Sequence, residues 1–236
     1  MEIPGYSTLS RQSGLLREMQ LVANNIANLS TNGFRREGLI FSEHVTRLDQ
    51  DPALSMANGN ARSISMVQGG LVHTGGTYDL AIEGDGFFLV ETPFGQGFTR
   101  SGSFTPSDNG LLVTNDGFPV LDSGGAAISL PQGANQIAIG PDGTISADGA
   151  PVAQIGIWAP IDPLSLRREA GTIFVGTEGE PTQAGKVRQG MLEESNVNPV
   201  LEIARMIEVQ RAYELGQSFL DAEDERAKSV IQTLGR

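Results

Sequence analysis

Histidine is the side chain best suited to proton transfer near neutral pH, and this chain of 236 residues contains two, His44 and His73. Neither lies in a Glu-x-x-His sequence or beside a candidate nucleophile, and no Gly-x-Ser-x-Gly sequence is present. Cysteine is absent, which excludes disulfides, thiol catalysis and cysteine-bound metals. These residue types predict no catalytic site, and we expect the chain not to be an enzyme.

Two further patterns could in principle bind an ion or a phosphate. The stretch Glu83-Gly84-Asp85-Gly86 supplies carboxylates, but it lacks the ligand spacing of a calcium loop and is typical of a hairpin turn. Gly69-Gly70 and Gly75-Gly76 are not followed by the Gly-Lys-Ser/Thr of a phosphate loop. The net charge of −12 also disfavours a nucleic-acid partner. We therefore expect no metal, no cofactor, no nucleic acid and no small-molecule substrate.

The first predicted element of the chain is a helix from about Ser7 to Leu29. Its apolar residues recur at helical spacing with a coiled-coil-like alternation of three and four. That stripe consists of Leu9, Leu16, Met19, Ala23 and Ile26. The helix is expected to end before Asn32-Gly33, because both residue types tolerate a left-handed backbone.

The middle of the chain, from about Gly69 to Gly190, predicts β structure. Short apolar runs are separated by dipeptides that favour tight turns, namely Asp85-Gly86, Asn109-Gly110, Asp116-Gly117, Asp142-Gly143 and Asp148-Gly149. The predicted strands are Phe87–Val90, Leu111–Thr114, Gln136–Ile139, Thr144–Ser146 and Val152–Trp158. This spacing is typical of an all-β barrel or sandwich-like domain.

The last segment predicts a second helix of about 35 residues that begins at Asn198-Pro199, since Asn caps helices well and Pro suits the first turn. Its apolar stripe has the same helical spacing as the first. The stripe consists of Ile203, Met206, Ile207, Gln210, Tyr213, Gln217, Leu220, Ala227, Ile231 and Leu234.

The sequence thus predicts an α+β fold in which two terminal amphipathic helices form an antiparallel coiled coil around a central all-β domain. We assign residues 1–34 and 196–236 to a helical domain, 35–76 to an extended connector, and 77–195 to the β-rich domain. An alternative is that both helices pack on the β domain or on each other inside a monomer. The narrow stripes, with polar and small members, favour helix–helix contact that also reaches neighbouring subunits.

Three stretches resemble the flagellar axial proteins, the family of rod, hook and junction subunits. The first runs from Ala23 to Arg35 and reads Ala-Asn-Asn-Ile-Ala-Asn-Leu-Ser-Thr-Asn-Gly-Phe-Arg, close to the family signature A-N-N-[LI]-A-N-x-x-T-x-G-[FY]-[KR]. The second comprises Asp79–Phe88 with Thr99–Phe104, and the third Ser195–Val200 with Met206–Glu214. The three occur in family order, and the length and the opening residues resemble the proximal rod protein of the F type more than the distal G type.

The resemblance implies a structural subunit of the proximal rod, the drive shaft of the basal body, which assembles helically and transmits torque. The implied partners are other rod proteins, copies of the same chain, and the export apparatus during secretion. The implied location is the periplasmic rod of the bacterial flagellum. Residues 1–5 have neither a positive nor an apolar signal region, so we expect export without a cleavable signal peptide and no stable membrane insertion.

The subunit interface is expected to use both apolar stripes and the signature positions. In addition to the stripe residues named above, the signature positions are Asn24, Asn25, Asn28, Thr31, Gly33, Phe34, Asn196 and Asn198.

Two other hypotheses remain open on the sequence. One is that the chain is the distal rod protein of the same family. The other is that it is a secreted β-rich binding module with helical ends. An enzyme that opens peptidoglycan would need a paired carboxylate in a cleft, which the sequence does not reveal.

Overall fold

A computed structural model describes residues 3–46, 54–134 and 136–234 of the chain. Helix α1 spans Ile3–Ala27 and helix α2 spans Pro199–Leu234. The predicted start of α2 is confirmed, because Oδ1 of Asn198 accepts hydrogen bonds from the backbone N–H groups of Val200 and Leu201, at 3.0 and 3.2 Å. No helix among the described residues is both long enough and apolar enough to cross a membrane.

Between the helices, the described residues form short strands and one turn of 3₁₀ helix at Pro163–Ser165. The strands are β1 Glu37–Thr46, β2 Leu54–Ile64, β3 Leu71–His73, β4 Leu80–Gly84, β5 Phe87–Thr92, β6 Gly95–Thr99, β7 Phe104–Pro106, β8 Leu112–Thr114, β9 Ile137–Ile139, β10 Thr144–Ala147, β11 Ala150–Gln154, β12 Ile157–Pro160, β13 Arg167–Ala170, β14 Ile173–Val175, β15 Gly179–Pro181, β16 Gly185–Gln189 and β17 Met191–Glu193. A central β-rich region flanked by two helices is therefore the observed architecture, as the sequence predicts.

The largest described sheet has six strands in the order β13-β14-β6-β5-β12-β15. Strand β5 lies inside this sheet and is buried on both faces. Phe88 and Val90 join one apolar cluster, whereas Phe87 and Leu89 join another. Because alternate residues of a strand point to opposite faces, one short strand contributes to both cores. Smaller sheets pair β10 with both β9 and β11, β4 with β16, β3 with β17, and β7 with β8.

The Gly of each of the five predicted turn dipeptides has a positive φ. Four of these pairs lie between antiparallel partners, as predicted. The hairpin predicted at Asp85-Gly86 is wrong, because this pair joins β4 to β5 and the two strands lie in different sheets. The prediction of one strand from Val152 to Trp158 is wrong. β11 pairs with β10, whereas β12 pairs with β5 in another sheet. The change of sheet occurs at Gly156, where an added Cβ would lie 2.3 Å from Nε1 of Trp158. The apolar alternation continues through the break because Ile155 and Ile157, on either side of Gly156, are both buried.

By its contacts the chain divides into two compact units. The described residues of 1–27, 37–63 and 198–236 form the helical unit, which contains α1, α2 and the β1–β2 pair. Residues 28–36 and 64–197 form the β-rich unit. This division differs from the predicted one. Residues 28–34 belong with the β-rich unit, and the predicted connector is shared between the two, with β3 paired to β17.

Candidate functional site

Helices α1 and α2 contact each other through a stripe in which polar and apolar side chains alternate. Nε2 of Gln12 donates to the backbone oxygen of Tyr213 at 2.9 Å. Nε of Arg205 donates to Oε1 of Glu18 at 2.7 Å. Leu15, Val22 and Val209 are buried in the same unit. These two hydrogen bonds cross between the helices, so their register is fixed by polar contacts as well as by apolar packing.

The predicted stripe of α1 is not the stripe that contacts α2. Leu9 and Leu16 remain 55% and 45% exposed, whereas Leu15 and Val22 are buried. Helix α1 has two apolar faces, and the heptad spacing of Leu9, Leu16 and Ala23 identified the outer one. The sequence missed the inner one because it includes Gln12 and Glu18, whose partners are far along the chain.

In helix α2, too, the predicted apolar stripe differs from the buried face. Ile203 and Ile207 are 51% and 46% exposed, whereas Glu202 and Val209 are buried. Among the other predicted stripe residues, some are exposed (Ala23, Gln210, Gln217) and some are half-buried (Met19, Ile26, Met206, Tyr213, Leu220). The side chains of Ala227, Ile231 and Leu234 lie outside the described residues.

Asn25, at the centre of the first signature, is fully buried and bonds within the chain. Its Nδ2 donates to the backbone oxygen of Glu37 at 2.8 Å and to Oε2 of Glu202 at 3.1 Å. Its Oδ1 accepts from the backbone N–H of Glu37 at 3.0 Å. The amide therefore pairs with Glu37 as a neighbouring strand would, and it holds the start of β1 against the end of α1.

Gly33 and Phe34 are also buried within the chain, in the β-rich unit. Gly33 has φ +71°, its N–H donates to the backbone oxygen of Glu193 at 2.7 Å, and an added Cβ would lie 2.2 Å from the backbone nitrogen of Ser101. The guanidinium of Arg168 lies 4.1 Å from the centroid of the Phe34 ring. Asn25, Gly33 and Phe34 thus lie inside the fold of the single chain, and their role at a subunit interface stays a prediction.

A buried ion cluster joins the first two signature stretches to Glu193 at the end of β17. Glu193 accepts from Arg35 and from Arg100, each at 3.0 Å, and all three side chains are at most 2% exposed. Burial lowers the pKa of Arg35 to about 10, against the opposing effect of Glu193, so its guanidinium stays charged at neutral pH. Burial likewise lowers the pKa of Arg100.

Backbone groups complete the coordination of this cluster. Oε1 of Glu193 accepts from the N–H of Gly69 at 3.0 Å, and Nη2 of Arg100 donates to the oxygen of Gly84 at 2.7 Å. Sequence reasoning did not single out Glu193. The available signal was a lone carboxylate in the apolar strand Met191-Leu192-Glu193, together with arginines inside two signatures.

The remaining signature positions organise turns and ends. Oδ1 of Asn196 accepts from the N–H of Arg36 at 2.6 Å, and its Nδ2 donates to the oxygen of Val67 at 2.7 Å. Oγ1 of Thr31 donates to Oδ1 of Asn28 at 3.0 Å. Asn24 is exposed. Most of the signature is therefore used to build the chain itself, and the exposed apolar side chains of α1 and α2 are the surface left for other molecules.

Within the described part of the chain, no group of three or more His, Asp or Glu side chains is placed to hold a metal ion. A cleft of about 630 Å³ in the β-rich unit is lined by Asp142, Lys186 and Arg188 among others. Arg188 donates to Glu83 at its edge, at 2.7 Å, and Asp142 accepts from Thr144. Arg188 and Asp142 therefore already have partners within the fold.

Comparison with known proteins identifies two regions of similarity to family models. Residues 81–147 match the D1 domain of the flagellar hook protein FlgE/F/G, and residues 188–233 match the C-terminal region of the flagellar basal body rod FlgEFG protein. The first region includes the β4–β5 core, and the second contains Asn196 and most of α2.

Whole-length relatives are also found. The chain is 38% identical to the flagellar basal-body rod protein FlgF of Caulobacter vibrioides and 36% identical to FlgF of Rhizobium meliloti, in each case over 98% of this chain and 97% of the relative. It is 31% identical to the flagellar basal-body rod protein FlgG of Bacillus subtilis, over 96% of this chain and 97% of the relative.

Proposed function

The chain belongs to the family of flagellar basal-body rod proteins, and from that premise we propose that it is a structural subunit of the proximal rod, of the F type. Members of this family are structural proteins rather than enzymes. The higher identity to the two FlgF proteins, at 36–38% against 31% for the FlgG protein, supports the F type.

The observation that carries this proposal is the exposed apolar surface of the two helices. Leu215, Leu201 and Leu9 are each more than half exposed, although α1 and α2 already contact each other. A chain that worked as a monomer would gain about 25 cal/mol for each Å² of this surface that it buried. Extended apolar surface of this kind marks a site of protein–protein contact.

The helical unit would assemble as an antiparallel coiled coil that also meets neighbouring subunits. Contacts from Gln12, Glu18 and Asn25 reach Tyr213, Arg205 and Glu202, so positions that rise along α1 meet positions that fall along α2. This order supports the antiparallel arrangement. Torque would then pass through many such helix contacts around the shaft. Of the other signature positions, Asn198 caps α2 and Asn24 is exposed on α1, whereas Asn28, Thr31 and Asn196 belong to the β-rich unit.

The partners in this proposal are other rod proteins and further copies of the chain, and the subunit lies in the periplasmic part of the basal body. The flagellar export apparatus would deliver it there. Contacts that join different surfaces and do not close on themselves generate a helical tube, which is the geometry a shaft requires.

The distal rod is the second candidate, because the FlgG relatives cover nearly the whole chain at 30–31% identity. Electron cryomicroscopy of purified basal bodies tests both. We expect density for this subunit near the membrane end of the rod, with its helices inside. Density in the long outer shaft would identify the distal type, and its absence from the rod would contradict the proposal in favour of a secreted β-rich module.

A further inference from the structure

A groove of about 360 Å³ lies between α1 and α2 on one flank of their contact. Its walls are apolar and open to solvent, since Leu215 is 73% exposed and Phe219 is 43% exposed. The residues that shape it are Arg11, Gln12 and Leu15 from α1 and Leu215, Gly216 and Phe219 from α2. The size suits one or two large aliphatic side chains.

Gln12 places an unsatisfied acceptor in this groove. The residue is 7% exposed, and its Nε2 donates to the backbone oxygen of Tyr213 at 2.9 Å. This bond fixes the orientation of the amide, because Oε1 cannot face that oxygen. Oε1 has no hydrogen-bond partner among the described residues. A buried acceptor without a donor costs about 1–3 kcal/mol, so the groove has one strained polar position within its apolar wall.

Arg11 places a positive charge at the same groove. Its side chain is exposed and makes no ion pair with any residue that the structure describes. In a chain of net charge −12, a cation beside an open apolar groove favours a partner segment that combines apolar side chains with a carboxylate.

A different flank of α2 has this complementary composition. Ile203 and Ile207 are half-exposed, and Glu214 is exposed two turns further along the helix. At 3.6 residues per turn, the two isoleucines lie roughly 120° around the helix from Leu215 and Phe219. Neither flank is the side that faces α1, which carries Glu202 and Val209. One copy of the chain therefore presents both the groove and a segment suited to fill it.

We propose that the groove receives the Ile203–Ile207 edge of a second copy, with Glu214 of that copy beside Arg11. This inference rests on the proposed function and specifies one of its subunit contacts. Because the two surfaces differ, the contact is heterologous, and each added copy offers a new groove to the next. A self-complementary dimer would instead join identical surfaces.

Cysteine cross-linking tests this contact, because the chain has no cysteine of its own. The full chain carrying both Ile203→Cys and Phe219→Cys replaces the unsubstituted one in cells, and purified basal bodies are oxidised. The two positions are about 24 Å apart along one helix, too far for a disulfide within one chain. We expect a ladder of dimers, trimers and larger multimers on a non-reducing gel.

A matched pair, Ile203→Cys with Thr105→Cys, replaces the groove position by an exposed residue of the β-rich unit, and we expect no ladder from it. A ladder from this control, or dimers from Ile203→Cys alone, would overturn the proposed contact. So would the absence of a ladder in basal bodies that contain the doubly substituted chain. Whether the unsubstituted chain is present in basal bodies is measured separately by immunoblot, and its absence there would overturn the proposed function instead.

Charge reversal tests the proposed ion pair between Arg11 of one copy and Glu214 of the next. In the cross-linking background, Arg11→Glu or Glu214→Arg alone is expected to lower the cross-linked fraction by about two- to fivefold, the factor that an exposed ion pair contributes. Both together are expected to restore it. Failure of the double reversal to restore the cross-link would contradict the pairing of Glu214 with Arg11.

Discussion

The β-rich unit and the helical unit differ in how far their large apolar side chains are buried. In the β-rich unit Leu80, Phe88 and Phe174 are completely buried. In the helical unit Leu9, Ile203 and Leu215 are each more than half exposed. The first unit completes its core with its own residues, whereas the second leaves large apolar side chains exposed. The β-rich unit is therefore expected to depend on internal contacts, and the helical unit on assembly.

The ion pairs of the two units also differ in burial. Glu193 holds two arginines in a site that is almost fully buried. In the helical unit, Arg205 is 42% exposed while it pairs with Glu18. A buried ion cluster is costly to disrupt, whereas a partly exposed pair contributes little and is easily rearranged. Rigid internal structure and an adaptable contact surface thus lie in different parts of one chain.

The largest expected effect comes from removing the shared carboxylate of the buried cluster. Glu193→Ala leaves Arg35 and Arg100 buried without a counter-ion, so we expect the free energy of unfolding to fall by about 3–5 kcal/mol. Urea unfolding followed by circular dichroism measures it. Glu83→Ala, which removes an ion pair whose partners are about half exposed, is the control and should cost at most about 1 kcal/mol. Equal effects would show that the cluster does not stabilise the β-rich unit.

Gly33→Ala tests the close approach within the β-rich unit. A left-handed backbone at a residue with a Cβ costs about 1–2 kcal/mol, and the overlap with the backbone of Ser101 adds to that cost. Gly117→Ala has a similar positive φ but no atom within 4 Å of the added Cβ, so it reports the backbone strain alone. We expect a clearly larger fall in melting temperature for Gly33→Ala, and equal shifts would rule out the overlap as a constraint.

Asn25→Ala tests the polar contact inside the helical unit. It removes the hydrogen bonds to both backbone groups of Glu37 and leaves them buried, which should lower the free energy of unfolding by about 1–3 kcal/mol. Asn24→Ala alters an exposed asparagine of the same helix and should change stability by no more than about 0.5 kcal/mol. If both variants unfolded alike, the burial of Asn25 would have no special role in the fold.

The smallest effect on stability is expected at the exposed apolar surface of α2. Ile207 is half-exposed, so Ile207→Asp should change the free energy of unfolding of the isolated chain by about 0.5 kcal/mol or less. Motility should nevertheless be lost, because assembly would bury the new charge. Val209→Asp places the same charge at a buried position and should destabilise the isolated chain itself. Normal swimming with Ile207→Asp would contradict the proposed interface.

Local features of the sequence determined much of the fold. Asn198-Pro199 determined the start of α2, because a cap acts on backbone groups two and three residues away. Four of the five Asp-Gly and Asn-Gly pairs determined where antiparallel segments turn, since the required φ is a property of the residue itself. The signature from Ala23 to Arg35, with its two companions, determined the family. Each of these depends on neighbours in the sequence, so the residues alone were sufficient.

The tertiary structure decided which faces and partners these elements use. The apolar periodicity of α1 fits two faces, and only the contacts of Gln12 and Glu18 with α2 select the inner one. Glu193 meets Arg100, 93 residues away in the chain, and no local pattern encodes that pairing. A side chain's burial depends on everything that packs around it, so the sequence determined the elements and their family, while the fold decided that Asn25 and Gly33 lie inside and Ile203 and Leu215 outside.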